Sequence, residues 1–159
     1  MRKIVIDPRV IKHLGRDLIT SPEVAVIELL KNSIDAKAKN INLRLYNGLS
    51  CNELFPAHVR DIIPKQYHHS PMLIVEDDGC GMNDATLDDG FLKIATDIKS
   101  NEEGTLGEKG IGRLATQRLG TALLVETSSD KENHTSYVFI DWNDVINGTE
   151  EVPSFEGPV

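Results

Sequence analysis

Three groups of residues in this chain have types and spacings suited to chemistry on a bound ligand. Glu28, Asn32 and Asp35 recur at i, i+4 and i+7, which at about 100° per residue sets an acid, an amide and a second acid in one narrow helical stripe. An acid, an amide and a second acid in one stripe can be presented together to a polar cavity. The plainer reading is the solvated stripe of an amphipathic surface helix. The second group is Glu76-Asp77-Asp78-Gly79-Cys80-Gly81-Met82. Its glycines permit positive φ and close approach of a ligand to the backbone. An acid at the mouth of that turn can accept a hydrogen bond from an amino group on a flat ligand, although an acidic surface turn has the same composition. A calcium loop does not fit, because the alternating oxygen ligands and the closing glutamate are missing. The third group is Gly107-Glu108-Lys109-Gly110-Ile111-Gly112-Arg113-Leu114-Ala115. A glycine turn feeding a helix start is an anion site, since unpaired N–H groups and the helix dipole point at the ligand. Lys99, Lys109 and Arg113 add positive charge there. The alternative is an ordinary glycine-rich turn. The Walker sequence is absent, and a loop rather than a strand precedes the turn, so the dinucleotide fingerprint does not fit either.

These residues need elements to position them. Ser21 as cap, Pro22 at the first helical position and Glu23 at the positive dipole end predict a helix over 21–37. Val26, Ile27, Leu30 and Ile34 form its apolar arc, while Val24, Ala25, Leu29 and Ala36 flank the polar stripe. This is expected to be a helix apolar most of the way round, turning its stripe to a polar cavity. Before it, residues 2–6 read as a strand and 9–19 as a helix begun by Asp7-Pro8. Residues 41–46 alternate at period two as a strand, ended by Asn47-Gly48. Residues 49–71, with Pro56, Pro64 and Pro71, lack a period and read as a surface insertion. Its His58, His68 and His69 have no matching ligand spacing for a metal. Residues 72–75 are a strand feeding the acidic turn, 83–95 a helix interrupted near Gly90, and 96–109 a polar loop of functional length. A helix runs to about Leu119 with Gly120 as cap. Two strands at 121–128 and 135–142 follow, and the sequence after Asn143 reads as loop. Cys80 is expected to be a small packing residue rather than a nucleophile, with no histidine nearby in sequence.

At 159 residues, 40% hydrophobic and 26% charged, the chain has the size and composition of one globular domain. A net charge of −8 gives no general attraction to nucleic acid or a membrane surface. An anionic ligand therefore needs local backbone N–H groups and lysines. Cys51 and Cys80 make no disulfide framework. No segment reads as a signal peptide or membrane span. The expectation is a soluble, cytoplasmic protein.

Taken in order, Glu28-x3-Asn32-x2-Asp35-Ala36, Asp77-x-Gly79-x-Gly81-Met82 and Gly107-x2-Gly110-x-Gly112 resemble the GHKL ATPases, the superfamily of gyrase, Hsp90-type chaperones, histidine kinases and MutL. The resemblance covers roughly residues 9–128 and all three boxes. It implies an α+β Bergerat-type fold, with helices on one face of a mixed, mostly antiparallel sheet, and ATP and Mg²⁺ as cofactors. By the same resemblance Glu28 is the general base and Asn32 holds Mg²⁺, while Asp35 and Ala36 lie beside the nucleotide. Asp77 accepts the adenine amino group, and Gly79, Gly81 and Met82 shape the base pocket. Gly107, Lys109, Gly110, Ile111 and Gly112 cradle phosphate, Lys99 comes from the lid, and 96–109 is that lid. The family's late-strand hydroxyl facing adenine has no evident match.

Within the superfamily, Glu28 speaks against a histidine kinase. The run Lys31-Asn32-Ser33-Ile34-Asp35-Ala36 and Thr105-Leu106-Gly107 look like MutL, but the residues after Gly107 depart from that pattern. The reading leans to an Hsp90-like or MORC-like module over a mismatch-repair protein. The resemblance implies the ATPase module of a longer protein, with downstream domains and a homodimer formed on ATP binding as partners. It identifies no client or nucleic-acid partner. Two functions stay open: slow Mg²⁺-dependent hydrolysis driving lid closure, and a nucleotide-gated interaction module with negligible hydrolysis.

Overall fold

The computed structural model describes residues 2–6, 21–94, 115–148 and 151–158. The expected helix 9–19, the lid 96–109 with Lys99, and the phosphate loop with Gly107, Lys109, Gly110, Ile111 and Gly112 lie outside them. In chain order the elements are β1 (Arg2–Lys3), β2 (Val5–Ile6), α1 (Pro22–Asp35), β3 (Ile41–Tyr46), α2 (Cys51–Leu54), α3 (Ala57–Arg60) and β4 (Met72–Asp77). A π-helical segment, Thr86–Leu92, follows, then β5 (Lys93–Ile94), α4 (Thr116–Leu119), β6 (Ala122–Ser128), β7 (His134–Asp141), α5 (Trp142–Ile146), β8 (Glu151–Val152) and β9 (Ser154–Pro158).

The start of α1 follows from local chemistry. Val24 N–H donates to the Ser21 hydroxyl at 3.5 Å and Pro22 opens the helix. Its far end closes through Ala36 N–H to the Asn32 carbonyl at 3.0 Å, and Lys37 turns the chain at φ 64°. The burial of α1 differs from the expected arc. Ala25 and Ser33 are buried, whereas Ile27 and Ile34 are 50% and 61% exposed. The cause is close packing: Ala25 meets Ala115 ahead of α4, and Ser33 meets the end of β4, and such approaches suit small side chains. Ile27 and Ile34 of the arc are turned outward, while Val26 and Leu30 are half-buried.

β3 and β4 pair antiparallel, Ile41 opposite Asp77 and Tyr46 opposite Met72. The larger sheet runs β6-β7-β9, all antiparallel, while β2 and β5 make a parallel pair and β1 and β8 an antiparallel one. The class is α+β with mixed, mostly antiparallel strands. Period-two alternation gives the β6-β7-β9 sheet two packed faces. On one, Val138 and Ile140 pack with Leu87, Leu92, Ile4, Trp142, Val145 and Val152. On the other, Tyr137 and Phe139 cover Cys51, Val59 and Ile63.

Residues 49–71 thus form a second layer on the sheet. Tyr67 pins this layer by donating its hydroxyl to Asp141 at 2.5 Å, a bond that, with burial, raises the phenol pKa. His58 packs on Tyr137 and Phe155 at ring distances of 5.4 and 5.5 Å, and His68 Nε2 lies 2.9 Å from the Ile63 carbonyl. These two histidines serve packing and loop closure.

The segment after Asn143 departs from the expected loop. β9 pairs with β7, Ser136 opposite Glu156 and Val138 opposite Ser154. Its five residues include a glycine and a proline, too short and too poor in β-formers to carry a periodic signal. Pro158 is tolerated because β9 is an edge strand. The predicted 83–95 helix is instead π-helical through Gly90 and gives way to β5 at Lys93. No helix among the described residues is long and apolar enough to cross a membrane.

Candidate functional site

The site is assembled where the C-terminal end of α1 meets the turn after β4. Ser33 donates its hydroxyl to Asp77 Oδ2 at 2.7 Å, and Gly79 N–H donates to Asp77 Oδ1 at 2.9 Å. Cys80 N–H then donates to the Ala36 carbonyl at 2.9 Å. The contact leaves no room at Gly79: a Cβ there would lie 2.7 Å from Ala36 Cβ and 2.8 Å from the Ala36 carbonyl oxygen. Ala36 and Gly79 are both small because the helix end and the turn touch directly. A carboxylate has about four acceptor positions, so Asp77 retains capacity for a ligand's amino group beyond the two bonds it accepts.

The turn is held from its other side by β6. Met82 N–H donates to Thr127 Oγ1 at 2.8 Å. Gly81 adopts φ +61°, and a Cβ there would lie 1.7 Å from the Ser128 carbonyl oxygen. Thr127 is a late-strand hydroxyl that meets the turn, at a position the sequence does not single out. Its strand reads clearly from periodicity, but which of its hydroxyl residues meets the turn depends on a contact made across the fold.

Glu28, Asn32 and Asp35 lie along one side of α1, half-buried at Glu28 and exposed at Asn32 and Asp35. Lys31 Nζ contacts Glu28 Oε1 at 2.7 Å, leaving Oε2 for a second partner. Asn32 presents a neutral oxygen of the kind Mg²⁺ accepts when most of its shell is water and phosphate. Of the three sequence boxes, the first two are therefore brought together. The third falls outside the described residues. Cys80 departs from the expected packing role: its side chain is exposed, and its backbone N–H makes the contact. Cys51 is the buried thiol, and burial raises its pKa.

Asp78, beside Asp77, has a different task. It accepts from the backbone N–H and side-chain amide of Asn40 at 2.8 Å each and from Lys39 N–H at 2.7 Å, tying the β4 exit to the loop before β3. The Asn40 backbone N–H, the Asn40 amide and the Lys39 N–H hold its carboxyl at about 2, below the ordinary 3.8. A depressed carboxyl stabilises the fold above its unfolded pKa, and that contribution is lost as pH falls through the folded value. Melting midpoints should therefore drop between pH values of about 4 and 2, and Asp78→Asn should flatten that part of the profile. An unchanged slope in the variant would mean that other carboxylates carry the acid transition.

Comparison with known proteins adds a family to this geometry. A model described as "Histidine kinase-, DNA gyrase B-, and HSP90-like ATPase" matches residues 19–156. The DNA mismatch repair protein MutL of Thermoanaerobacter sp. (strain X514) is 32% identical over 117 residues, covering 69% of this chain and 16% of the relative. The MutL of Caldanaerobacter subterraneus subsp. tengcongensis is 26% identical over 156 residues, covering 94% of this chain and 23% of the relative. The chain thus spans less than a quarter of the length of these curated relatives. They come from the branch that the sequence reading ranks below the Hsp90-like and MORC-like ones.

Proposed function

The chain belongs to the family of histidine kinase-, DNA gyrase B- and HSP90-like ATPases, and from that premise we propose that it binds ATP with Mg²⁺ and hydrolyses it slowly, closing a lid over the nucleotide. The observation that carries the reading is the direct docking of the α1 end onto the Asp77–Gly81 turn through Ser33, Ala36 and Gly79. That docking joins a base-recognition acid to the helix bearing Glu28 and Asn32.

In this reading Asp77 accepts the adenine amino group, with its carboxylate oriented by Ser33 and Gly79. Gly79, Gly81 and Met82 shape the base pocket, and Thr127 fixes its wall through the Met82 N–H. Asn32 holds Mg²⁺, which neutralises phosphate charge when bound. Asp35 and Ala36 border the nucleotide. Gly107, Lys109, Gly110, Ile111 and Gly112 offer N–H groups and charge to the phosphates, and Lys99 adds charge from the lid. Glu28 takes the proton of the attacking water on Oε2 while Lys31 holds Oε1 in place. Homodimerisation on ATP binding and coupling to further domains extend the same reading. A DNA-repair role is the second reading, favoured by the MutL relatives. A nucleotide-gated interaction module without turnover is the third.

Binding is tested by thermal melting with Mg²⁺–ATP. Ligand at a hundred times its Kd stabilises the fold by about 2.7 kcal/mol, roughly 5–11 °C for a chain of this size. The shift should vanish in Asp77→Asn, a near-isosteric change that keeps an acceptor for Ser33. A shift retained in that variant would overturn the adenine assignment.

A further inference from the structure

We propose a second, separate ligand site: a divalent transition-metal site formed by Asp84, His134 and Glu156, which clips the end of the Gly79–Met82 turn to the β6-β7-β9 sheet. The three residues come from three places, the start of the segment after the turn, the first position of β7 and the edge strand β9. One ligand atom from each lies within 4.8 Å of the other two. His134 Nε2 is 3.3 Å from Asp84 Oδ2. In a tetrahedral zinc site with bonds of about 2.0–2.1 Å, neighbouring ligand atoms lie about 3.3–3.4 Å apart, so this pair already forms one edge. Glu156 is exposed on an edge strand, and a side-chain adjustment of about 1.5 Å completes the set.

Two further observations point to a cation. His134 Nε2 is buried and has no hydrogen bond of good geometry, although it faces carboxylates. Its nearest neighbours are the Asp84 and Glu132 carboxylates, so a shared cation would let imidazole nitrogen and carboxylate oxygen act as ligands together. The carboxylates are also oriented by outer partners. Ser136 Oγ donates to Asp84 Oδ1 at 2.9 Å, leaving Oδ2 toward His134. Glu132 uses its two oxygens on the Asp84 N–H at 2.9 and 3.1 Å and stands 3.7 Å from His134 Nε2. Metal-ligating carboxylates are characteristically held by such second partners. Two carboxylates within 3.7 Å of one imidazole nitrogen, with Glu156 in the same cluster, favour a positive charge among them, and one imidazole with oxygen ligands suits Zn²⁺, Co²⁺ or Mn²⁺.

The position gives the site a consequence. Asp84 follows two residues after Met82, whose N–H is already bound to Thr127. A metal bridging Asp84 to β7 and β9 would add a second hold on the exit side of the turn. The inference does not depend on the ATPase reading.

The test uses the whole chain, stripped of metal with a chelator and titrated with Co²⁺ and then Zn²⁺. One equivalent of Co²⁺ should give a visible ligand-field band without the thiolate charge-transfer band that Cys80 would add. The melting midpoint should rise with metal concentration. Glu156→Gln, an exposed change that leaves the fold intact, should weaken binding at least tenfold, and His134→Gln should abolish the band. Ser136→Ala should weaken binding about tenfold by freeing the Asp84 carboxylate. His69→Gln, an exposed histidine elsewhere, should bind as the wild type does. A wild type without the band, or a band surviving both Glu156→Gln and His134→Gln, would overturn the site. The positive charge would then be a proton on His134.

Discussion

Gly81→Ala is expected to lower the melting midpoint by roughly 6–12 °C, corresponding to about 3 kcal/mol for a chain of this size. Two costs combine. The residue sits at φ +61°, where a Cβ costs about 1–2 kcal/mol. The added carbon would also fall 1.7 Å from the Ser128 carbonyl oxygen and 2.8 Å from its carbon. Both are β6 backbone, so no side chain can swing aside, and overpacking of this kind costs about 1–3 kcal/mol. Gly148→Ala is the control. Its φ is +98°, yet nothing lies within 4 Å of the added carbon, so it carries the backbone cost alone. If both variants melt together, the contact with Ser128 is looser than its geometry requires. Mg²⁺–ATP should also stabilise Gly81→Ala less than wild type, because the Met82–Thr127 bond moves with the turn.

The second large effect concerns turnover. Glu28→Ala should reduce hydrolysis by roughly 10²–10⁴-fold, the usual contribution of a general base, while leaving the ATP-induced melting shift in place. Binding and chemistry separate because the base group stands on α1, whereas base recognition rests on the Asp77 turn. The interaction-module reading makes the opposite forecast: turnover is already negligible and the variant changes little. Lys31→Met refines the assignment. Loss of the ammonium at Glu28 Oε1 should lower kcat more than it raises KM, since Lys31 acts by orienting the base. Equal binding loss in Glu28→Ala and Asp77→Asn would assign Glu28 to nucleotide affinity.

How much of this was legible beforehand differs from element to element, and the reasons are physical. The start of α1 is readable because Ser21, Pro22 and Glu23 act within one turn. Its buried face is less so: periodicity finds the large apolar residues, but the tight contacts at Ala115 and Asp77 favour small ones, so Ala25 and Ser33 go inside. The acidic turn is readable as a motif because glycine conformational freedom and acid placement are local. Ser33, Thr127 and the Ala36–Gly79 contact are tertiary facts with no local spacing. β9 is hidden because an edge strand of five residues draws its order from β7 rather than from its own sequence. Residues 49–71 hide their packing for a similar reason, their apolar residues being spaced by short helices and prolines instead of one period. Asp84, His134 and Glu156 are scattered so widely that no motif scan would join them.

The pairing of β1 with β8 sets when this fold can be completed. Arg2 is opposite Val152 and Lys3 opposite Glu151, so β1 waits for a strand made about 150 residues later. At about 5–20 residues per second that wait is on the order of ten to thirty seconds. Ile4, between β1 and β2, belongs to the same core as Val152, so that core stays incomplete until β8 is made. The hairpin β6–β7 is local and can form early, whereas closure of the first strands is a long-range event of high contact order. Nascent chains should thus acquire protease resistance late and in one step, making ribosome-bound intermediates of this protein natural substrates for chaperones.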